Sequence, residues 1–258
     1  MIPFILNEKK IEVPSSWNEL TVKQFFDVRN AKTFYEKMEA MTGEKDWDKI
    51  ENMDMLLLPF TIWLTSNADF ETAQQNNNIT IQGQYKPIYY ELNKDLGEYS
   101  FGQKIICQQK LSKLQEDKKD LVESLPLLIA TYYQPICEDK KYSPEDAETF
   151  EKTIYETRMC FAYPAFKFIL AELLRLIERD SQYLSRPMKS EELMASSTEL
   201  NKFKDFMLID SLAGGDIFKH DAVTDFPYNR IFGKLYMENE KSKYQERLSE
   251  AMKRKHKV

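Results

Sequence analysis

The stretch that most constrains the fold of this chain is 143–179, where a capped amphipathic helix leads into a strongly apolar one. Ser143 supplies an N-cap oxygen, and Pro144 suits the first helical position, where no N–H is needed. Pro164 predicts a kink or a restart, because proline removes a helical hydrogen bond. Apolar residues cover most of the circumference over 165–177, but charged residues interrupt them. We therefore expect a helix buried by protein and not a membrane span.

Composition favours a mostly helical globular protein. The chain has 258 residues, 42% of them hydrophobic and 30% charged, with only 7 glycines and 10 prolines. A net charge of −6 argues against a molecule built to attract nucleic acid. The three cysteines are far apart, and the N-terminus lacks the pattern of a secretion signal. We therefore expect a protein that is made and kept in a cytoplasm.

Short β-type runs predict two hairpins among the helices. The first pairs 4–6 with 11–13, and the second pairs 79–81 with 88–90. The predicted fold class is mainly α with minor β (α+β), a helical bundle with one or two small N-terminal and central β-hairpins. Three parts are predicted: residues 1–78 as a hairpin plus helices, residues 79–180 as a second hairpin plus core helices, and residues 181–258 as a C-terminal helical extension with a basic tail.

Several helix ends are predicted from local signals. Thr21 with Gln24 matches a capping box, and Ser100 with Gln103 repeats it at an offset of 79 residues. This offset favours a duplicated unit. Other signals predict a helix over 33–41 closed by Gly43, a helix over 46–58, a helix stopped by Gln134 and Pro135, a mobile loop within 180–197, and a helix end at Gly214 and Gly215.

Motifs for catalysis or for metal and cofactor binding are absent. The two histidines lie at no ligand spacing, and no phosphate-binding glycine loop occurs. Cys160 with His220 is a poor nucleophile pair, because apolar surroundings raise a thiol pKa. A group of aspartates could bind Mg²⁺ or do acid–base work, although its spacing favours helix caps and a solvated face; it comprises Asp205, Asp210, Asp216, Asp221 and Asp225. We expect no enzyme activity and no cofactor.

Two sets of side chains are candidates for contact with other molecules. Aromatic and methionine side chains at helical spacing suit either a core or a partner-binding face. The candidate partner-binding residues are Phe166, Phe203, Phe206, Met207, Tyr228, Phe232 and Tyr236. The basic C-terminus suits either a solvated helix end or contact with nucleic acid phosphates. The candidate nucleic-acid contacts are Lys253, Arg254, Lys255 and Lys257.

Three segments carry a family resemblance. They read IEVPSSWNELTVKQF at 11–25, LLIATYYQP at 127–135 after the strand and turn of 90–103, and LAGGD at 212–216 followed by FPYNRIF at 226–232. Together they resemble the tail-assembly-chaperone-like proteins encoded by phages of Gram-positive and Bacteroidetes hosts. The motifs are short and structural, and the family offers no catalytic residues to transfer.

The resemblance implies a non-enzymatic phage protein that binds other phage proteins during tail assembly. The tape-measure protein is a candidate partner, since its apolar helical faces need cover before a tail tube encloses them. The alternative is a structural component of the virion, such as a ring at the head–tail connection or a packaged tail protein, acting as a symmetric oligomer. The expected location is the host cytoplasm during assembly, or the virion under the alternative. A membrane partner is not expected.

Overall fold

The chain folds mainly into α-helices with minor β-structure, as its sequence predicts. A computed structural model describes residues 1–6, 9–45, 47, 62–65, 75–82, 87–184 and 203–255. The strands in these ranges are β1 (Ile2–Leu6), β2 (Lys9–Val13), β3 (Asn78–Gln82) and β4 (Pro87–Glu91). The helices in them are α1 (Val22–Asn30), α2 (Phe34–Thr42), α3 (Phe101–Glu116), α4 (Leu125–Glu138), α5 (Pro144–Tyr155), α6 (Met159–Leu184), α7 (Lys204–Ala213), α8 (His220–Asp225) and α9 (Tyr228–Lys255).

Both predicted hairpins are present as separate two-stranded antiparallel sheets. In the first, Phe4 lies opposite Ile11, and in the second, Thr80 lies opposite Tyr89. Most of the predicted helix over 46–58 lies outside the described residues, as does the part of the predicted 180–197 loop that follows residue 184. A short 3-10 helix, Ile62–Thr65, follows α2 among the described residues.

The cap signals of α1 and α2 are confirmed. Thr21 accepts a hydrogen bond from the Gln24 backbone, and the Gln24 side chain accepts one from the Thr21 backbone. Thr33 does the same with Glu36 at the start of α2. Gly43 ends α2 in the left-handed conformation, at a φ of 75°, which glycine adopts at low cost. These helix ends follow from local chemistry alone.

Two proline-based predictions need correction. Pro135 does not stop α4, which continues to Glu138 and ends where Asp139 takes a left-handed conformation. The predicted restart at Pro164 is also wrong, because α5 ends at Tyr155 and α6 begins at Met159 and runs through Pro164; the alternative of a kink there stays a prediction. A proline near a helix end removes one backbone bond, a cost that packing of the surrounding residues offsets. The most enclosed helix is α4, in which nine of the residues over 125–134 are buried.

The two capping boxes begin the same local arrangement. Near Thr21, Val22 N–H donates to Thr157 O at 2.9 Å, and Met159 N–H donates to Leu20 O at 2.8 Å. Residues 99–101 pair with residues 226–228 in the same way, with both donor–acceptor distances at 2.8 Å. A 3-10 turn precedes each box, Trp17–Glu19 and Leu96–Glu98. The predicted 79-residue offset thus relates two helix starts of equal backbone geometry.

Contacts divide the chain into two compact units. Unit 1 comprises Met1–Lys94 with Lys113–Leu170, and unit 2 comprises Asp95–Ser112 with Ala171–Val258. Both hairpins belong to unit 1, whose core includes α4. Unit 2 has a core of its own around Leu96, Phe101, Leu173, Leu176, Tyr228 and Ile231. The sequence-based division at residues 78 and 180 stays a prediction.

Candidate partner-binding surface

Helices α7 and α8 and the turn between them form a short helical hairpin over residues 203–226 of unit 2. Gly214 and Gly215 end α7 with positive φ angles, as predicted. The Asp216 carboxylate then accepts a hydrogen bond from Phe218 N–H and caps the 3-10 turn Ile217–Lys219. Because local hydrogen bonds hold the backbone of this turn, its apolar side chains are not needed to stabilise it.

Large apolar side chains of this hairpin face outward. Phe218 is 94% exposed and Ile217 is 65% exposed, while Phe206 and Met207 on α7 are about half exposed. Phe206 packs edge-on against the His220 ring at 5.3 Å, which places α7 and α8 side by side. We call this set of exposed side chains the 203–226 surface. Clustered exposed apolar residues mark interaction sites on soluble proteins.

The candidate partner-binding residues do not all lie on this surface. Phe203, which immediately precedes α7, is exposed along with Phe206 and Met207. Phe232 and Tyr236 lie on α9, where their rings stack at 6.2 Å and meet Tyr183.

Phe166 and Tyr228, by contrast, are core residues. They are 3% and 1% exposed. Phe166 packs on Tyr163, and Tyr228 stacks on Phe101 at 5.7 Å. Their helical spacing is the same as that of the exposed aromatics, so the sequence does not separate them.

The basic C-terminus is described in part. Lys253 is exposed in the last turns of α9, and Arg254 and Lys255 complete that helix. Lys257 lies outside the described residues. Upstream on the same helix, lysine and arginine are interspersed with Glu238, Glu240 and Glu246, so the unbroken basic run lies at the helix end. Contact with nucleic acid stays a prediction.

A buried polar centre in unit 2 was not predicted. The Lys104 ammonium donates to Asp180 at 2.6 Å and lies 4.3 Å from the Tyr228 ring centroid, and the Tyr228 hydroxyl donates to the other Asp180 oxygen. Burial lowers the pKa of Lys104, against the opposing effect of the Asp180 charge. Burial and the Asp180 hydrogen bond raise the pKa of Tyr228. The three side chains border a cleft of about 650 Å³ that α3, α6, α7 and α9 line.

The 79-residue offset between the two capping boxes is a sequence signal that could have identified the buried lysine. Lys104 lies 79 residues after Phe25, a buried aromatic residue that contacts Trp17 in unit 1. The second arrangement therefore places a lysine where the first places a core phenylalanine. Lysine is seldom buried unless it is paired. A comparison of the two segments at this offset identifies Lys104 as the exceptional residue.

A second polar network joins Asn229 to the turn that precedes α3. Asn229 donates to Asp95 at 2.9 Å and to Glu98 at 2.7 Å, and it accepts from Arg179 at 2.9 Å. Gly97 lies so close to Asn229 that an added Cβ would be 2.2 Å from its Oδ1. The turn and the start of α9 are therefore locked together within unit 2.

The candidate acidic group does not assemble into a metal site in the described ranges. Asp205 accepts from Gln109 at 2.7 Å, and Asp210 lies 3.1 Å from His220. Residues 1–6, 9–45, 47, 62–65, 75–82, 87–184 and 203–255 hold no group of three His, Cys, Asp or Glu suited to a metal ion. Burial raises the thiol pKa of Cys160, and that of Cys137 to about 12, which disfavours the reactive thiolate of either.

Comparisons with known proteins provide no relative. No family model, no curated protein and no solved structure matches this chain. Within the described part of the chain, no helix has the length and apolar character that crossing a bilayer requires.

Proposed function

We propose that this chain is a phage tail-morphogenesis protein that works by binding other phage proteins, with the tape-measure protein as a partner. The observation that carries the proposal is the 203–226 surface, where Phe218 stands almost wholly in solvent and where Ile217, Phe206 and Met207 are half exposed or more. A helix-in-groove or hairpin-on-helix contact would bury these side chains. Aromatic anchors dominate the energy of such interfaces.

In this proposal the family resemblance indicates the class of partner, and the 203–226 surface is the region that binds it. A tape-measure protein is long and helical, so its apolar stripes suit an apolar surface displayed on short helices. Asp, Lys and His residues lie between the exposed aromatics in the sequence, and such charged residues favour the solubility of an unbound apolar surface. The proposal needs no catalytic residue.

Co-expression with the tape-measure protein of the same phage tests the proposal. We expect the two proteins to copurify, and we expect Phe218→Glu to weaken binding at least tenfold, since a central aromatic anchor contributes more than about 1.4 kcal/mol. Phe218→Leu is the matched control, because it keeps an apolar side chain, and it should bind within a few-fold of the parent. Equal binding by the glutamate variant would show that this surface is not the contact.

Mass spectrometry of purified phage particles separates the proposal from its alternative. An assembly factor is absent from the mature particle and present in infected cells in complex with a tail protein. A structural component is present in the particle in a fixed ratio to the major capsid protein. Stoichiometric presence would replace the assembly role with the virion role.

A further inference from the structure

The C-terminal half of α9 carries an exposed apolar stripe. Met237, Tyr244, Leu248 and Met252 follow one another at intervals of seven, four and four residues, which places them on one helical face over about 24 Å. All four are 41% exposed or more, and every residue over 241–249 is exposed. A helical segment of this length is marginal in water by itself, so a packed partner would stabilise it.

Charge along α9 indicates what the partner is. The stripe begins beside Glu238 and Glu240 and ends at the basic residues 253–255. Glu238 pairs with Lys234 at 2.7 Å and Glu240 pairs with Lys243 at 2.8 Å, but these ion pairs are exposed and contribute little. Both carboxylates therefore remain open to a further cation. A second copy of the same helix, running antiparallel, brings its basic end to this acidic end.

We propose that α9 binds α9 of a second copy of this chain as an antiparallel helix pair centred near residue 246. Tyr244 of each chain then packs against Leu248 of the other, and Lys241 lies opposite Ala251, whose small side chain leaves room for the lysine stem. In this register the helical position of Glu240 lies close to that of Arg254 at both ends of the pair. The interface is distinct from the 203–226 surface and does not depend on the proposed function.

The antiparallel direction is favoured over the parallel one by the same charges. A parallel pair would set Lys241 against Lys241 and the two basic ends against each other. The antiparallel pair brings the two Arg247 side chains near each other at its centre, but it places opposite charges together at both ends. Like charges opposite one another destabilise a helix pair, whereas opposite charges set its direction.

Sedimentation velocity and light scattering of the purified full-length chain test this inference. We expect a dimer at micromolar concentrations, a monomer for Leu248→Glu, and a dimer for the matched control Ser242→Glu, which adds the same charge away from the stripe. Far-UV circular dichroism confirms that the variants stay folded. A monomeric parent, a larger closed ring, or a dimer that Leu248→Glu leaves intact would overturn the proposal.

A charge exchange tests the direction. Glu240→Lys should raise the dimer dissociation constant about tenfold, because it turns two weak attractions into repulsions. The double variant Glu240→Lys/Arg254→Glu should restore the parent value, since the opposite charges meet again in an antiparallel pair. Failure of the second change to restore the dimer would refute the antiparallel arrangement. Tape-measure binding by Leu248→Glu is measured separately, so failure of one proposal is distinguishable from failure of the other.

Discussion

Asp180→Asn removes the negative charge that compensates the buried Lys104 in unit 2. The carboxylate receives the Lys104 ammonium on one oxygen and the Tyr228 hydroxyl on the other. The lysine side chain is 8% exposed, so water does not replace the lost partner. An asparagine at this position keeps the shape of the side chain and offers one neutral oxygen in place of two charged ones.

The expected loss of unfolding free energy is about 3–5 kcal/mol, the usual cost of leaving one member of a buried ion pair without its partner. The ammonium also contacts the Tyr228 ring at 4.3 Å, and since this contact exists with either side chain at position 180, it does not reduce the difference. Replacing both charged groups, in Lys104→Met/Asp180→Asn, removes both members of this ion pair. We therefore expect the double variant to lose less than Asp180→Asn alone.

Urea denaturation followed by circular dichroism measures these differences. The matched control is Asp205→Asn, which neutralises another carboxylate on the same cleft, one that bonds to Gln109 and not to Lys104, and should cost less than about 1 kcal/mol. The midpoint of Asp180→Asn should fall with an unchanged slope. A change below about 0.5 kcal/mol, or a double variant less stable than both single variants, would refute the argument that this ion pair is buried and coupled.

The remaining predictions concern single residues, each measured by urea denaturation. Gly97→Ala should lower the free energy of unfolding by roughly 1–3 kcal/mol, because the added Cβ would displace Asn229 from three hydrogen bonds. Its control, Gly233→Ala on open helix surface, should raise that free energy by about 0.5–1 kcal/mol. Equal effects of the two variants would contradict the close contact between Gly97 and Asn229. Thr21→Ala should lower the free energy of unfolding by about 1 kcal/mol, and Thr21→Ser, which keeps the capping hydroxyl, should leave it almost unchanged. Equal stability of the two variants would show that the capping box is unimportant. The free energy of unfolding should fall as pH rises from about 9 towards 12, since the folded state keeps the Cys137 proton that the unfolded chain releases. Cys137→Ala should make this fall with pH less steep, by up to about 1.4 kcal/mol per pH unit. An unchanged slope in the variant would exclude this thiol as a cause.

Local helix and turn signals were sufficient for much of the secondary structure. Thr21 with Gln24, Ser100 with Gln103, and Ser143 with Pro144 each begin a helix at the predicted place. These signals work because a cap is a contact between residues two or three positions apart. The predicted stop at Pro135 and the predicted restart at Pro164 were wrong for the complementary reason. Whether a helix continues past a proline depends on packing from distant residues, which no local pattern records.

The surface and the polar centre could be predicted only in part. Phe206 and Met207 were expected to contact a partner, and they are exposed, but Phe166 and Tyr228 from the same prediction are buried. The sequence did not single out Phe218, the most exposed of the large apolar side chains in the described part of the chain. It follows an Asp-capped turn, and its exposure depends on how that turn lies in unit 2.

What the sequence alone determined is the class of fold, the hairpins and most helix starts, because periodicity and capping act over a few residues. Only the tertiary structure decided which apolar faces are core and which are exposed, and it alone brought Lys104 to Asp180. Burial is a property of what packs on a side chain, and the packing partner lies far away in the chain. These two charged groups are 76 positions apart in the chain, and no local pattern indicates that they meet.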